Sequence, residues 1–266
     1  LTIKYQTLSF FYSSTACIYP VHRQLDTNVD GGGLKEADAW PAHPQDAYGL
    51  EKLYAEEFAK YYEADFGMKC RVARFHNVYG PFGTWKGGRE KAPAAFCRKV
   101  ITSTDSVEMW GDGLQTRSFT YIDDCVEGVL RIMASDCAEP LNLGSSEMVS
   151  MDEMMQHVLA VEGKTLPIKH IVGPQGVRGR NSDNALILEK LGWEPTVKVA
   201  DGLRPTYAWI KQQIDHDKVK EGCLTEAYAS SELVLAREPQ KLGDLRAADG
   251  AEQHGKVNAF VACKSV

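Results

Sequence analysis

Tyr48 and Lys52 stand four residues apart in YGLEK, a spacing that puts a phenol and an ammonium on one face of a helix. A free tyrosine has a pKa of about 10 and is a poor base at neutral pH, but a neighbouring cation favours the phenolate and lowers that value. The pair could therefore take a proton from a hydroxyl group. Tyrosine and lysine also fall at this spacing by chance on many helices, so the pair gains meaning only from what accompanies it. Upstream, SSTACIYP (residues 13–20) runs Ser13, Ser14 and Thr15 into Cys17, at the end of a strand-like segment where a hydroxyl could meet the Tyr48 phenol over a shared substrate. Cys17 has two readings: a small buried thiol that closes the strand, the commoner fate of a cysteine, or a thiol placed to move a proton. Downstream, RFHNVYGP ends another strand-like segment in Asn77 and Tyr79.

These groups need a scaffold to position them. Short apolar or aromatic runs closed by Gly, Ser or Asn recur at residues 8–14, 70–80, 117–124 and 140–146, and they read as buried strands of a sheet. Between them DAYGLEKLYAEEFAKYYEADFG carries Leu50, Leu53, Tyr54, Phe58 and Tyr61 at helical spacing, and Gly67 ends it as a glycine after a last turn does. Further helices are predicted at residues 92–102, 123–135 and 150–163, the last opened by a Ser150–Glu153 capping box. Two more are expected at residues 184–192 and around 202–218. Alternation of strand and helix predicts an α/β class with a parallel sheet. Past about Lys218 the periodicity decays, and no internal repeat is present.

Hydrophobic residues make up 44% and charged residues 25% of the chain, the composition of an ordinary globular protein. Its 266 residues suffice for one large domain or two small ones, with a core that needs no crosslinks. The seven cysteines (17, 70, 97, 125, 137, 223 and 263) form no CxxC pair and no His–Cys ligand spacing. Odd in number and scattered, they favour free thiols in a reducing compartment over a disulfide framework, and no metal site is expected. No apolar run approaches the roughly 18 residues of a membrane span, and the N-terminus lacks the order of a secretory signal. A cytoplasmic location without a membrane partner is the expectation. A net charge of −6 argues against non-specific nucleic-acid binding, while leaving room for an anionic small ligand at a local basic cluster.

The order strand-Ser/Thr, YxxxK helix, strand-Asn resembles the extended short-chain dehydrogenase/reductase family, the NAD-dependent epimerases and dehydratases. Within it the runs SSTACIYP, WPAHPQDAYGLEKL, RFHNVYGPFGTWKGGREKAPAAFCRK, EMWGDGLQTRSFTYIDDCVEGVLR and GVRGRNSDN resemble the branch that epimerises GDP-mannose. The likeness covers most of residues 10–210, with weaker echoes to about residue 250. It implies a nucleotide-sugar isomerase with NAD as cofactor, contacted by Tyr48 and Lys52, and GDP-mannose as substrate. The implied reaction inverts C3 and C5 to give GDP-L-galactose and GDP-L-gulose through transient oxidation at C4, on the route to L-ascorbate. Tyr48, assisted by Lys52 and Thr15, would take the proton of the sugar 4-hydroxyl. A 4-ketone makes the hydrogens at C3 and C5 acidic, because either carbanion is delocalised into the carbonyl. The implied acid/base pair is Cys17 with Lys91 of GGREKAP; apart from the resemblance, Lys91 reads as a solvated loop lysine. A homodimer formed through the Tyr48 helix is also implied.

The resemblance further implies substrate contacts at Thr15, Ala16 and Cys17, at Asn77, at Glu90, Lys91 and Ala92, at Lys99, at Gln115, Thr116 and Arg117, at Arg180 and at Ser231. A diphosphate needs cations, and Arg117, Arg178, Arg180 and Lys99 lie on different segments that could converge on one. Singly, each reads as a surface residue. Gly173, Gly176 and Gly179 in GPQGVRG fall at the spacing of a dinucleotide fingerprint. That fingerprint must close a strand and open a helix, whereas RNSDN follows here as a polar turn, so an NAD site at this loop is rejected.

A member of the family opens with a βαβ unit that carries a glycine-rich turn and an acidic residue for the adenosine ribose; neither precedes Leu1. The chain is therefore expected to be N-terminally truncated, with a partial Rossmann-like parallel sheet and a smaller α/β substrate-binding domain. The expected division is residues 1–80 as the C-terminal half of the NAD-binding domain, 81–218 as mainly the substrate domain with 117–136 returning to the Rossmann sheet, and 219–266 as an irregular tail. Thr15 stands where a serine is more usual. Two alternatives accompany the leading expectation. One is a nucleotide-sugar 4-epimerase or 4,6-dehydratase, from which the Cys17–Lys91 pair separates it. The other is an inactive fragment that acts at most as a dimer partner.

Overall fold

A computed structural model describes residues 9–25, 33–173 and 176–221. Ten strands and six α-helices follow one another among these residues: β1 (Ser9–Thr15), α1 (Ala47–Phe66), β2 (Lys69–Phe75), β3 (Val78–Tyr79), α2 (Ala92–Thr102), β4 (Val107–Trp110), β5 (Thr116–Ser118), β6 (Thr120–Tyr121), α3 (Ile122–Ala134), β7 (Leu141–Leu143), β8 (Met148–Ser150), α4 (Met151–Glu162), β9 (Ile168–Ile171), β10 (Gly179–Arg180), α5 (Ala185–Leu191) and α6 (Val199–Glu221). The fold is α/β, with a parallel Rossmann-like sheet and additional helical and sheet elements around it.

In that sheet the order is β1-β2-β7, all parallel. β2 is buried along nearly its whole length, as a strand covered on both faces must be. Its alternation divides it: Cys70 and Val72 pack with Ala59 of α1, while Ala73 packs with Cys125 and Ile132 of α3. The register sets Thr15 against Phe75 and Phe75 against Leu143, so Thr15, His76 and Gly144 emerge at one carboxyl edge. Ligands of open α/β sheets bind at that edge.

α1 is the crossover between β1 and β2. Asp46 caps it by accepting from the Gly49 amide at 2.9 Å, and Gly67 ends it in the left-handed region at φ 65°. The helix matches its prediction, but of the apolar spacing that reveals it only Leu53 is on the face it buries. Gly49, Leu53, Glu56 and Ala59 turn inward, whereas Leu50, Tyr54, Phe58, Tyr61 and Phe66 are exposed.

Two predicted strands are broken in the structure. The run at 70–80 splits after Phe75, because the His76 amide donates to the Leu143 carbonyl and the Asn77 carbonyl accepts from Thr120. The chain thereby passes from the β1-β2-β7 sheet to the β3–β6 pair. The run at 117–124 divides into β5, β6 and the first turn of α3. Helix α2 spans the predicted 92–102, and Ser150 opens α4 with a complete capping box. Around the second part of the chain, β5 lies between β10 and β8, and β4 pairs with β9. Helices α2, α4 and α6 enclose an apolar core that includes Val100, Met151, Met154, Met155, Val158, Ile210 and Ile214.

Candidate active site

The carboxyl end of β1 turns sharply. Thr15 Oγ1 accepts from the Cys17 amide at 3.2 Å and caps a 3₁₀ turn, Ala16–Ile18, that buries all three of its residues. Thr15, Ala16 and Cys17 are thus held as one rigid corner. The first turn of α1 lies directly against it: a Cβ on Gly49 would stand 2.2 Å from the Cys17 carbonyl oxygen. Only glycine permits this approach, which sets Tyr48 beside the corner. A glycine inside a helical pattern costs about 1 kcal/mol relative to alanine; that was the available sequence signal for Gly49, a residue not among the predicted set.

Lys52 Nζ donates to the Ser13 carbonyl at 3.1 Å and lies 4.9 Å from the Tyr12 ring centroid and 5.9 Å from that of Tyr48. The ammonium is fixed to the strand and stands next to the phenol, as the YxxxK spacing predicts. Burial, followed by the carboxylates of Glu51 and Glu56, pushes the Tyr12 hydroxyl up to about 12, so this second phenol stays protonated.

A buried polar network holds α1 onto the sheet. Ser14 Oγ donates to Glu56, and Arg74 grips both Glu56 oxygens, with Nη2–Oε2 at 2.7 Å. Arg74 Nη1 continues to the Tyr19 hydroxyl (3.2 Å) and the Glu36 carbonyl (2.7 Å). Tyr19 donates to Asn142 Oδ1 at 2.6 Å, and His76 Nε2 lies 3.2 Å from the same oxygen. Burial, with Arg180 and Arg74 adding to it, lowers the His76 pKa to about 3, which leaves the imidazole neutral.

Three predicted contacts meet on β5 and β10. Thr116 and Arg117 lie on β5, and Arg117 is the register partner of Arg180. Arg117 donates to the carbonyls of Thr116 (2.7 Å) and Val177 (2.5 Å). Burial, then Arg180 and Arg178, lowers its pKa to about 9, still cationic at neutral pH. Arg180 reaches the corner: Nη1 donates to Cys17 Sγ at 3.5 Å and Nε to Gln24 Oε1 at 2.5 Å. Gln24 is itself fixed by donating to the carbonyls of Tyr19 and Pro20; nothing in its sequence surroundings marks this role. Arg178 instead pairs with Asp112 at 3.0 Å near the surface. Two cations at this corner could hold an anionic group.

Glu90, Lys91, Ala92 and Lys99 belong to α2 and its approach. Lys91 is the N-cap, and Glu90 pairs in the interior with Arg98 at 2.7 Å. Lys99 Nζ donates to the Glu108 carbonyl at 2.8 Å, and burial followed by Arg98 lowers its pKa to about 8. Asn77 Nδ2 donates to the Ser118 carbonyl at 3.2 Å, and Gln115 Nε2 to that of Trp110 at 3.3 Å. The structure thus brings Thr15, Ala16, Cys17, Tyr48, Lys52 and Arg180 to one corner, with Thr116 and Arg117 on the strand beside it. The α2 residues form a second group. Ser231 and the rest of the expected tail beyond residue 221 lie outside the described residues. Gly179 enters the short β10, and no helix opens at it. Among the described residues, no group of three His, Cys, Asp or Glu is placed to hold a metal ion, and no helix is long and apolar enough to cross a membrane.

The profile of the NAD dependent epimerase/dehydratase family matches residues 2–144. GDP-mannose 3,5-epimerase 1 of Oryza sativa subsp. indica is 67% identical over 243 residues, which are 91% of this chain and 63% of that protein. GDP-mannose 3,5-epimerase of Arabidopsis thaliana is 66% identical over 244 residues, again 91% of this chain and 64% of its own length. The chain thus spans somewhat under two thirds of the curated relatives it matches. Among solved structures, UDP-glucose 4-epimerase of Thermotoga maritima with UDP-glucose superposes with a TM-score of 0.69 at 27% identity, covering 80% of this chain and 66% of that one. UDP-glucuronic acid 4-epimerase of Bacillus cereus, in complex with UDP-glucuronic acid and NAD, gives a TM-score of 0.65 at 25% identity over 77% of this chain and 62% of that one.

Proposed function

Because the chain belongs to the NAD dependent epimerase/dehydratase family, we propose that it carries the chemistry of a GDP-mannose 3,5-epimerase, converting GDP-mannose to GDP-L-galactose and GDP-L-gulose. The observation that carries this reading is the corner itself: a thiol, a hydroxyl, a phenol and an ammonium meet at the carboxyl edge of the parallel sheet, with Arg180 on the sulfur. A 4-epimerase needs no base at C3 or C5, and a buried thiol in this position supports the 3,5-epimerase reading over that alternative.

NAD fits the Tyr48–Lys52 pair, whose ammonium is anchored at the Ser13 carbonyl; when bound, it supplies the chemistry that takes C4 to the ketone and back. The chain's own residues do the rest. Tyr48 takes the proton of the 4-hydroxyl and later returns it, with Lys52 favouring the phenolate and Thr15 orienting the hydroxyl. Cys17 removes a proton next to the ketone, and Lys91 delivers one to the other face. Arg117 and Arg180 hold the diphosphate, with Asn77, Glu90, Ala92, Lys99, Gln115, Thr116 and Ser231 completing the substrate set.

The expected division into residues 1–80, 81–218 and 219–266, with 117–136 returning to the sheet, belongs to the same reading; the packing of Cys125 and Ile132 against Ala73 and Leu141 supports that return. The exposed Leu50, Tyr54, Phe58, Tyr61 and Phe66 of α1 support a homodimer through this helix. Free thiols at the described cysteines support a reducing, cytoplasmic location. The test is incubation of the full chain with NAD and GDP-mannose in deuterated water. Deuterium at C3 and C5, lost in Cys17→Ser, is the expected result. Tight NAD binding without any exchange at these carbons would overturn the 3,5-epimerase assignment, and absence of NAD binding would favour an inactive dimer partner.

A further inference from the structure

A thiol is a base only after it has lost its own proton, and an ordinary cysteine, with a pKa of about 8.5, keeps that proton at neutral pH. Cys17 is nearly fully buried, and burial disfavours a thiolate. Something at the corner must oppose that burial if Cys17 is to act. The group placed to do so is Arg180, whose Nη1 donates to Sγ at 3.5 Å from a side chain that is itself buried.

We infer that Arg180, held by Gln24, is the positioning residue that keeps Cys17 as a thiolate before substrate arrives. The inference rests on the reading of Cys17 as a proton-moving group. Gln24 fixes the direction: its Oε1 takes the Arg180 Nε, and its Nε2 is pinned to two backbone carbonyls. The guanidinium is therefore aimed at the sulfur by a neutral partner that does not spend its charge. A carboxylate in the place of Gln24 would neutralise it.

Further charged and titratable groups lie on the elements around this turn. On α1 and its cap, Asp46 accepts from the Gly49 amide, Lys52 donates to the Ser13 carbonyl, and Tyr48 lies within the capping turn. From β5, Arg117 adds a second cation in register with Arg180. His76, beyond the end of β2, is neutral, and Glu56 is spent on Arg74. The proton released by the thiol passes to solvent, and no redox change is involved.

The test is a pH titration of the thiolate ultraviolet band in the full chain, taken as the difference from Cys17→Ser, with no substrate or cofactor present. The expected midpoint lies below the ordinary value of about 8.5. Arg180→Met raises it by about one pH unit or more, which lowers the thiolate population at neutral pH by up to about tenfold. Gln24→Glu, which keeps the guanidinium in place but neutralises its field, raises it in the same direction, and Arg180→Lys restores most of the shift. A midpoint at or above the ordinary value in the unmodified chain overturns the inference without recourse to any variant. So does an unchanged midpoint in Arg180→Met that retains its fold. This readout is independent of turnover: deuterium exchange can fail while the thiolate is present, and the thiolate can be missing while NAD binds.

Discussion

Between β1 and α1 the buried centre is a carboxylate. Glu56 is fully buried in mid-helix, gripped by Arg74 and Ser14, and the bonds continue through Tyr19 to Asn142. Between α2, α4 and α6 the centre is Met151, Met154, Met155, Val158, Ile210 and Ile214, with no such network among them. The first arrangement is directional. Each bond fixes an angle and a register, and desolvation of the charges is its cost. The second is set by volume, and it tolerates swaps that conserve volume. The region that must present a phenol, an ammonium and a thiol in fixed relation is the one built from directional bonds.

The most severe way to break this contrast is to remove one partner of the buried pair. Glu56→Ala leaves Arg74 charged and unpaired in the interior, and urea denaturation is expected to show a loss of about 3–5 kcal/mol. Replacing both, Glu56→Met with Arg74→Met, should recover most of that stability, yet loosen α1 and reduce activity; stability no better than the single variant would contradict the account. In the apolar region, Met154→Ala should cost about 2–5 kcal/mol through the cavity it leaves, with NAD and substrate affinity of the folded fraction unchanged.

Gly49→Ala comes next, at about 1–3 kcal/mol for overpacking, and here the loss of activity should exceed the loss of stability because α1 is pushed from the Cys17 corner. Acid sharpens the comparison further. His76 has a folded pKa of about 3 against an ordinary 6.5, so the unfolded chain takes up a proton that the folded chain refuses. Its contribution is complete above about pH 6.5 and is lost as the pH falls towards 3, at up to about 1.4 kcal/mol per pH unit. His76→Gln should flatten that part of the stability curve, whereas variants of the apolar core should leave its slope intact. The smallest effect belongs to Ser150→Ala, where loss of the α4 capping box should lower stability by about 1 kcal/mol and shift the melting temperature with no change at the site.

Local signals in the chain were legible because local physics sets them. Ser150 with Glu153, and Gly67 after the last turn, mark helix ends through bonds made within a few residues. YxxxK was legible for the same reason, since its spacing is a property of one helix. The inward face of α1 was not. Its stripe of Tyr and Phe obeys a helical period while facing outward, and the residues that turn inward include the charged Glu56, whose partner Arg74 lies on another element. The break after Phe75 was likewise invisible, because it depends on which distant carbonyl receives the His76 amide. Gln24 shows the limit most clearly: its importance comes entirely from Arg180, more than 150 positions away.

Gly49 carries one more consequence. Because no side chain stands between the first turn of α1 and the Cys17 carbonyl, the two backbones that carry Tyr48 and Cys17 meet with nothing compressible between them. Their spacing is then governed by stiff main-chain contact rather than by rotamer hopping. Warming the folded chain should hardly change it, so this corner should act as a gauge block whose setting holds until the whole structure gives way.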